Sequence, residues 1–345
     1  MRHKILNLSK YNINSALKHT SSVKLERATL SLWLLIFLLP LAFTVQAQQD
    51  EQYTQFMFNK LWYNPAYAGS DGLPNLTLVA RNQWIGLKGA PQSQALTFDL
   101  PLLNNRVGVG GNIVHNKIAV YEEMTVDGSY AYRLKLGQGI MGLGVQASVR
   151  FLRNDFTELE ATQPISSDGA IPAGIQSKFV PNFGMGFYYH TEAFYLGFSV
   201  PRLLNTNIDL ADNSVEISRE VQHFYLMGGV ILGEKDFKFL PQVLVKYTPT
   251  APLDADLNLS FILLDKITIG GTYRLGGTKE NPIGESIGLV FASEINESLL
   301  LGLSYDLTLT PLKEYQDGSV EVALRYTFGN RSSKIGAEYI NPRHF

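Results

Sequence analysis

Residues 318–328 read GSVEVALRYTF, and their reading decides the fold. Val320, Val322, Leu324, Tyr326 and Phe328 fall on one face, while Glu321, Ala323, Arg325 and Thr327 fall on the other. Successive side chains of a strand point to opposite faces, so a period of two is strand periodicity; a helix would group residues three and four apart. The stretch upstream behaves alike: Leu299, Leu301, Leu303, Tyr305 and Leu307 oppose Gly302, Ser304, Asp306 and Thr308. So do Leu143, Val145, Ala147, Val149 and Phe151 against Gly142, Gly144, Gln146, Ser148 and Arg150. One face suits lipid and the other suits a polar lumen.

Working outward, similar runs occupy 76–84, 92–100, 106–115, 121–135, 139–153, 181–190 and 193–201. They continue at 219–231, 238–248, 254–263, 266–276, 284–294, 298–307 and 318–328. Many approach the roughly 9–11 residues with which a tilted strand crosses a bilayer. The connections near 101–105, 136–138, 191–192, 232–237, 264–265 and 295–297 are short and share one parity. The long ones, 154–180 and 202–218, have the other, as does 308–317. Outer-membrane barrels sort their loops this way, with short periplasmic turns and long outer loops. The expected fold is therefore all-β: an antiparallel transmembrane β-barrel of about fourteen strands over 76–328, closed so that no sheet edge meets hydrocarbon.

Residues 29–43, TLSLWLLIFLLPLAF, follow Arg2, Lys4, Lys10, Lys18, Lys24 and Arg27 and precede the small-residue pattern Val45-Gln46-Ala47. This reads as an export signal over 1–47, too short in its apolar core for a spanning helix. The leader takes six of the 29 Lys/Arg and one of the 31 Asp/Glu with it, so the remainder carries 23 against 30, a formal charge of −7. No basic tract follows that could track a phosphate backbone, so nucleic acid is an unsuitable partner. With no cysteine in the chain, disulfides, thiolate nucleophiles and cysteine metal sites are excluded.

Other candidate chemistry is thin. Gly137, Gly139 and Gly142 have dinucleotide-fingerprint spacing, but the residues after them alternate as a strand, which favours a hairpin turn. His115, His190, His223 and His344 lack metal-ligand spacing and read as strand-end or lumenal polar residues. Asp254 with Asp256, and Asp209 with Asp212, lack a calcium-loop pattern and read as solvated acids. Tyr188, Tyr189, Phe194, Tyr195, Tyr247 and Phe328 read as interfacial girdle residues. We expect no enzymatic activity, no cofactor and no metal. The candidate lumenal polar residues are Arg133, Arg150, Lys246, Arg274, Asp306, Glu321 and Arg325, either lining an aqueous passage or paired across a filled interior.

Between leader and first strand lies an aromatic segment, residues 48–75, whose core reads QDEQYTQFMFNKLWYNPAYAGSDG over 49–72. Tyr53, Phe56, Phe58, Trp62, Tyr63 and Tyr67 need a surface to receive them. This segment resembles the N-terminal signature of the PorP/SprF family, in Phe58-Asn59 and in Asn64-Pro65-Ala66-Tyr67-Ala68-Gly69. The similarity continues through Arg81-Asn82-Gln83-Trp84, Ala90-Pro91, Ser129-Tyr130-Ala131-Tyr132, Pro181-Asn182-Phe183-Gly184 and Ser304-Tyr305-Asp306, with Lys60 standing where relatives often carry proline. The resemblance implies a non-enzymatic outer-membrane barrel tied to type IX secretion or gliding. It implies as partners secretion or gliding proteins, periplasmic anchoring proteins or a large secreted adhesin. A general solute channel is the alternative expectation. Phe58, Asn59, Trp62, Tyr63, Asn64, Pro65, Tyr67 and Gly69 are the candidate plug or partner motif; the segment could plug the barrel, brace its first strand or present a partner-binding face. The tail, 329–345, is polar and unplaced.

Overall fold

The computed structural model describes residues 51–158, 174–206, 208, 220–234, 236–249, 251–276 and 284–329. The leader, residues 330–345, Asp209, Asp212 and His344 lie outside them. The first strands are β1 (Asn75–Asn82), β2 (Gln92–Leu102), β3 (Val107–Ile118), β4 (Tyr121–Leu136) and β5 (Gly139–Asp155). Then come β6 (Ile175–His190), β7 (Phe194–Val200), β8 (Phe224–Val230), β9 (Leu232–Glu234) and β10 (Phe237–Tyr247). The last are β11 (Asp254–Leu263), β12 (Ile267–Arg274), β13 (Ser286–Glu294), β14 (Leu299–Thr308) and β15 (Ser319–Thr327). Every neighbouring pair is antiparallel, and β1 pairs β15 with Arg81 opposite Glu321, closing the sheet. β8 and β9 are two pieces of one stave, so the barrel has fourteen.

Alternation is the cause of the wall. In β15, Val322, Leu324 and Tyr326 face outward while Glu321, Ala323 and Thr327 are buried. The same alternation in β13 and β14 puts Ile287, Leu289, Phe291, Leu303, Tyr305 and Leu307 outside. An outer surface this apolar is unsuited to water and suited to lipid. The inner face meets a core of its own: residues 53–68 pack with inward-pointing Val79, Ala95, Val114, Ala131, Tyr225, Met227, Leu244 and Ile262. The barrel is filled by the segment that precedes it.

Two prolines moved strand boundaries away from the sequence reading. β6 begins at Ile175 rather than at 181, continuing through Pro181 opposite Val149. The Phe183 carbonyl accepts from the Leu203 N–H on the β7 side, so Pro181, two residues away, directs its hydrogen-free nitrogen to that same side, where β7 has ended. The expected strand 219–231 is instead β8 plus β9, interrupted at Ile231. Pro241 falls opposite Val230, next to the interruption, and cannot donate a ladder hydrogen bond there; the register is the same on both sides, so the ladder breaks without an inserted residue.

Connection lengths follow the expected parity. At one end the links β2–β3, β4–β5, β6–β7, β9–β10, β11–β12 and β13–β14 run two to four residues. The long links 156–174 and 201–223 lie at the other end, as does 309–318. We call these the turn end and the loop end.

Candidate functional site

The aromatic segment is built from three short helical pieces: a 3-10 turn Phe56–Phe58, one α-helical turn α1 (Lys60–Tyr63) and a 3-10 turn Pro65–Tyr67. Asn64 makes the last break. Its side-chain oxygen accepts from the Ala66 N–H at 2.9 Å, with Pro65 at the first helical position, while its amide donates to the Phe187 carbonyl in β6 at 2.8 Å. One residue thus caps a turn and ties it to the wall.

The segment descends from the loop end to the turn end. At the loop end, Gln52 donates to Asp254 at the start of β11, 2.9 Å away. Ser199 in β7 donates to the Tyr63 carbonyl at 2.6 Å, and the Tyr63 ring meets Tyr225 of β8 edge-on at 5.3 Å. Tyr67 meets Tyr188 of β6 edge-on at 5.2 Å. At the turn end, Arg133 of β4 donates to the Gly69 and Ser70 carbonyls, and Arg325 of β15 pairs with Asp71.

Close approach needs a wall without side chains. A Cβ on Gly144 would overlap the backbone of Pro65 and Ala66, and one on Gly108 would overlap the Ala68 carbonyl. Glycine is required at both by the plug, not by a turn. Gly142, Gly186 and Gly197 extend this bare strip along β5, β6 and β7.

The strongest tie is a charged latch. Arg81 of β1 bridges Asp306 of β14 at 2.6 Å and Glu321 of β15 at 3.0 Å, with all three side chains almost wholly buried. The two Glu321 oxygens also accept from the Thr54 and Gln55 N–H groups, each at 2.9 Å. The Thr54 hydroxyl donates to Asp306 at 2.6 Å. Buried charges need pairing and hydrogen bonds, and here the plug backbone supplies both Glu321 oxygens with donors, while Asp306 Oδ1 and Arg81 Nε stay without a hydrogen-bond partner. A second cluster joins Lys246 to Asp254 and Asp256, at 3.1 and 2.8 Å, and Arg274 to Asp256 at 2.7 Å. In a third, Arg150 holds Glu123 at 2.5 Å and Glu220 at 2.7 Å; Arg202, which also reaches Glu220, lies over the Trp62 ring. Lys60 sits at 4.4 Å over the Tyr195 ring, a contact that offsets part of the cost of burying its ammonium.

The structure thus places Arg133, Arg150, Lys246, Arg274, Asp306, Glu321 and Arg325 on the inner face, each engaged in an ion pair or a hydrogen bond. Phe58, Asn59, Trp62, Tyr63, Asn64, Pro65, Tyr67 and Gly69 all lie in the lumen, and all but Phe58 and Gly69 are buried side chains. Three readings change. Asp254 and Asp256 are buried partners of Lys246 and Arg274, not solvated acids. Tyr188 and Tyr195 point inward onto the plug, whereas Phe194, Tyr247 and Phe328 face outward. Adjacent aromatics on a strand cannot share a face, so Tyr188-Tyr189 and Phe194-Tyr195 each divide between lumen and lipid. Arg81, the centre of the latch, was not among the expected lumenal charges, although Thr77, Val79 and Arg81 share the inward parity of β1. No metal-binding cluster occurs among the described residues.

Trp62, Tyr63 and Tyr67 are wall contacts here, so truncating them should loosen the plug. Trp62→Ala alone should destabilise the folded barrel by about 3–5 kcal/mol, the usual cost of emptying a buried aromatic site. Temperature-dependent gel mobility of the purified barrel measures this; unchanged thermal resistance would contradict the packing.

A barrel wall closed around its own preceding segment now stands beside the sequence comparison. The family described as type IX secretion system membrane protein PorP/SprF matches residues 45–326. The chain belongs to the PorP/SprF family. PorP/SprF proteins are non-catalytic outer-membrane components associated with transport or secretion, which places this barrel in the outer membrane. Family membership also implies partners in the secretion or gliding machinery. No curated protein matches the sequence. Among solved structures, a Pseudomonas aeruginosa FadL homologue gives a TM-score of 0.42 at 12% identity, covering 83% of this chain and 96% of that one. A KdgM porin gives 0.36 at 9%, covering 74% and 99%, and Salmonella typhi OmpF in complex with daunomycin gives 0.36 at 10%, covering 75% and 98%. Likeness at this level carries no reading of substrate or partner for the PorP/SprF barrel.

Proposed function

We propose that this PorP/SprF barrel is a plugged membrane anchor, serving export or surface attachment of a secreted protein through contacts on its end faces. The observation that carries this is the filled lumen. An open channel needs a continuous aqueous path, and here ion pairs and aromatic packing hold the segment 51–72 against opposite walls. The inward charges that would select solutes in a pore are spent on that segment and on one another. Its partners are of the kinds the chemistry allows: a periplasmic anchoring protein at the turn end and a large adhesin at the loop end.

The test uses photo-crosslinking amino acids at two exposed positions in living cells, Glu297 on a turn and Tyr315 on a loop. Secretion or gliding proteins captured at either face support the proposal. Conductance by the purified wild-type barrel, with no capture at either face, would favour a solute channel instead.

A further inference from the structure

At the loop end, the link between β1 and β2, residues 83–91, forms an arch whose base is closed by the Gln83 N–H donating to the Pro91 carbonyl at 2.9 Å. On one side the Ile85 N–H donates to the Gly318 carbonyl and the Ile85 carbonyl accepts from the Asp317 N–H, both at 2.8 Å. On the other side the Gly89 carbonyl accepts from the Ala119 N–H at 3.0 Å. The arch is thus pinned to both neighbouring connections. It holds Trp84 at a φ of +50°, a left-handed conformation rare for a bulky side chain, and such strain persists only where the surroundings enforce it.

Between arch and wall lies a cleft of about 460 Å³, the size of a small-ligand site. Its floor is Asn82, Gln92 and Lys117, cross-strand partners on β1, β2 and β3 that share the outward face. Neighbouring strands lie about 4.8 Å apart, so the three side chains form a ladder roughly 10 Å long. Gln83 and Trp84 line the cleft from the arch, with Ile85 and Leu87 beside them. No carboxylate lines it, and Lys117 makes no ion pair among the described residues. Glu122, the acid opposite Lys117 on β4, is held instead by His115 at 2.8 Å and Arg153 at 3.3 Å.

Three amides, an indole and one uncommitted cation define a ligand class. Each amide both donates and accepts, which suits hydroxyl groups better than a bare anion. The indole offers a flat apolar face to the C–H side of a sugar ring, and the ammonium answers one acidic group. The floor also fixes the source. Four residues further along the same face stand Leu78, Leu96 and Ile113, exposed and themselves cross-strand partners. At about 3.3 Å per residue they lie roughly 13 Å along the strands from the ladder, an acyl-chain surface directly beneath a polar cleft. Long loops of outer-membrane barrels face outward, which sets the cleft at the headgroups of the outer leaflet. We propose that this cleft binds the acidic saccharide headgroup of an outer-leaflet glycolipid. Trp84 stacks on a sugar face, Asn82, Gln83 and Gln92 take its hydroxyls, and Lys117 takes its phosphate or carboxylate. The site is independent of the plug and of the secretion reading.

The probe is lipid A, an acylated and phosphorylated glucosamine disaccharide, titrated into detergent-purified full-length protein with bound lipid counted by native mass spectrometry. Binding should saturate. Trp84→Ala and Lys117→Gln should each weaken it about tenfold, the scale of one lost stack or one lost charge-assisted hydrogen bond. With dephosphorylated lipid A, Lys117→Gln should have no effect. Lys313→Gln removes an exposed charge elsewhere at the loop end and should change neither titration. Heat-modifiable mobility confirms that each variant is folded; Lys117→Gln, an exposed change on a strand, leaves the arch intact if Trp84→Ala disturbs it. Unchanged binding by Lys117→Gln would overturn the proposal, as would displacement of lipid A by phosphatidylglycerol at equal concentration, because charge alone would then explain the contact. Equally tight binding of the deacylated disaccharide would overturn the lipid assignment in favour of a soluble saccharide.

Discussion

Arg81→Ala should release the front of the plug and weaken the barrel by about 3–5 kcal/mol, the usual result of stranding a buried ion partner. Arg81 answers two carboxylates, Asp306 and Glu321, neither of which has an appreciable share of water. Without the guanidinium, their like charges face each other in a poorly solvated space while still holding the Thr54 and Gln55 N–H groups. Arg81 also lies directly opposite Glu321 across the pairing that closes the sheet, so the loss falls on the seam. Arg81→Lys retains the charge but not the fork that reaches both acids, and should recover only part of the loss. Thermal unfolding followed by gel mobility reads the stability. Cysteine labelling at position 55 reads the plug directly, and a fully protected Gln55→Cys in an Arg81→Ala background would disprove the latch.

Gly144→Leu should open the lumen. The added side chain would occupy the space of the Pro65–Ala66 backbone, which cannot yield as a flexible side-chain tip could. The barrel has the more extensive bonding, since Gly144 pairs with Ala131 and with Gly186 in long, regular ladders. The expected product is therefore an intact wall with a displaced plug. In planar bilayers the wild-type protein should be silent, whereas Gly144→Leu should give stable conductance steps; Gly128→Leu, at a position with no neighbour near its Cβ direction, is the control. A folded but silent Gly144→Leu barrel would show that the plug tolerates displacement without opening a path.

The wall was legible because its signal is local. Alternation over ten residues, as in Leu299–Thr308, needs no knowledge of neighbours, and loop parity needs only that strands be counted. Boundaries failed where a proline's effect depends on what stands beside it: Pro181 is harmless because β7 has ended, and Pro241 because β8 breaks. The latch was illegible for a different reason. Arg81 and Glu321 are 240 positions apart, and only closure of the sheet makes them neighbours. Parity could have placed Arg81 inside; it could not have named the two acids. The aromatic segment was visible as a segment needing a surface, but its path depends on glycines that carry no pattern of their own. Gly144 and Gly108 look like ordinary strand glycines until the plug backbone is laid against them.

The direction in which the plug runs has a consequence for biogenesis. β1 begins at the turn end, whereas Thr54 and Gln55, earlier in the chain, are fastened at the loop end. The segment between them must therefore run the length of the barrel before the first stave begins. Threading it through a finished ring would mean passing Trp62 and Tyr63 along a wall that already touches them at Arg202 and Tyr225. The simpler order has the staves assemble around it, with β1 and β15 meeting last over the Arg81–Glu321 pair. The segment would then act as a mandrel: the object on which the sheet is curled, left inside because the final rivet passes through it.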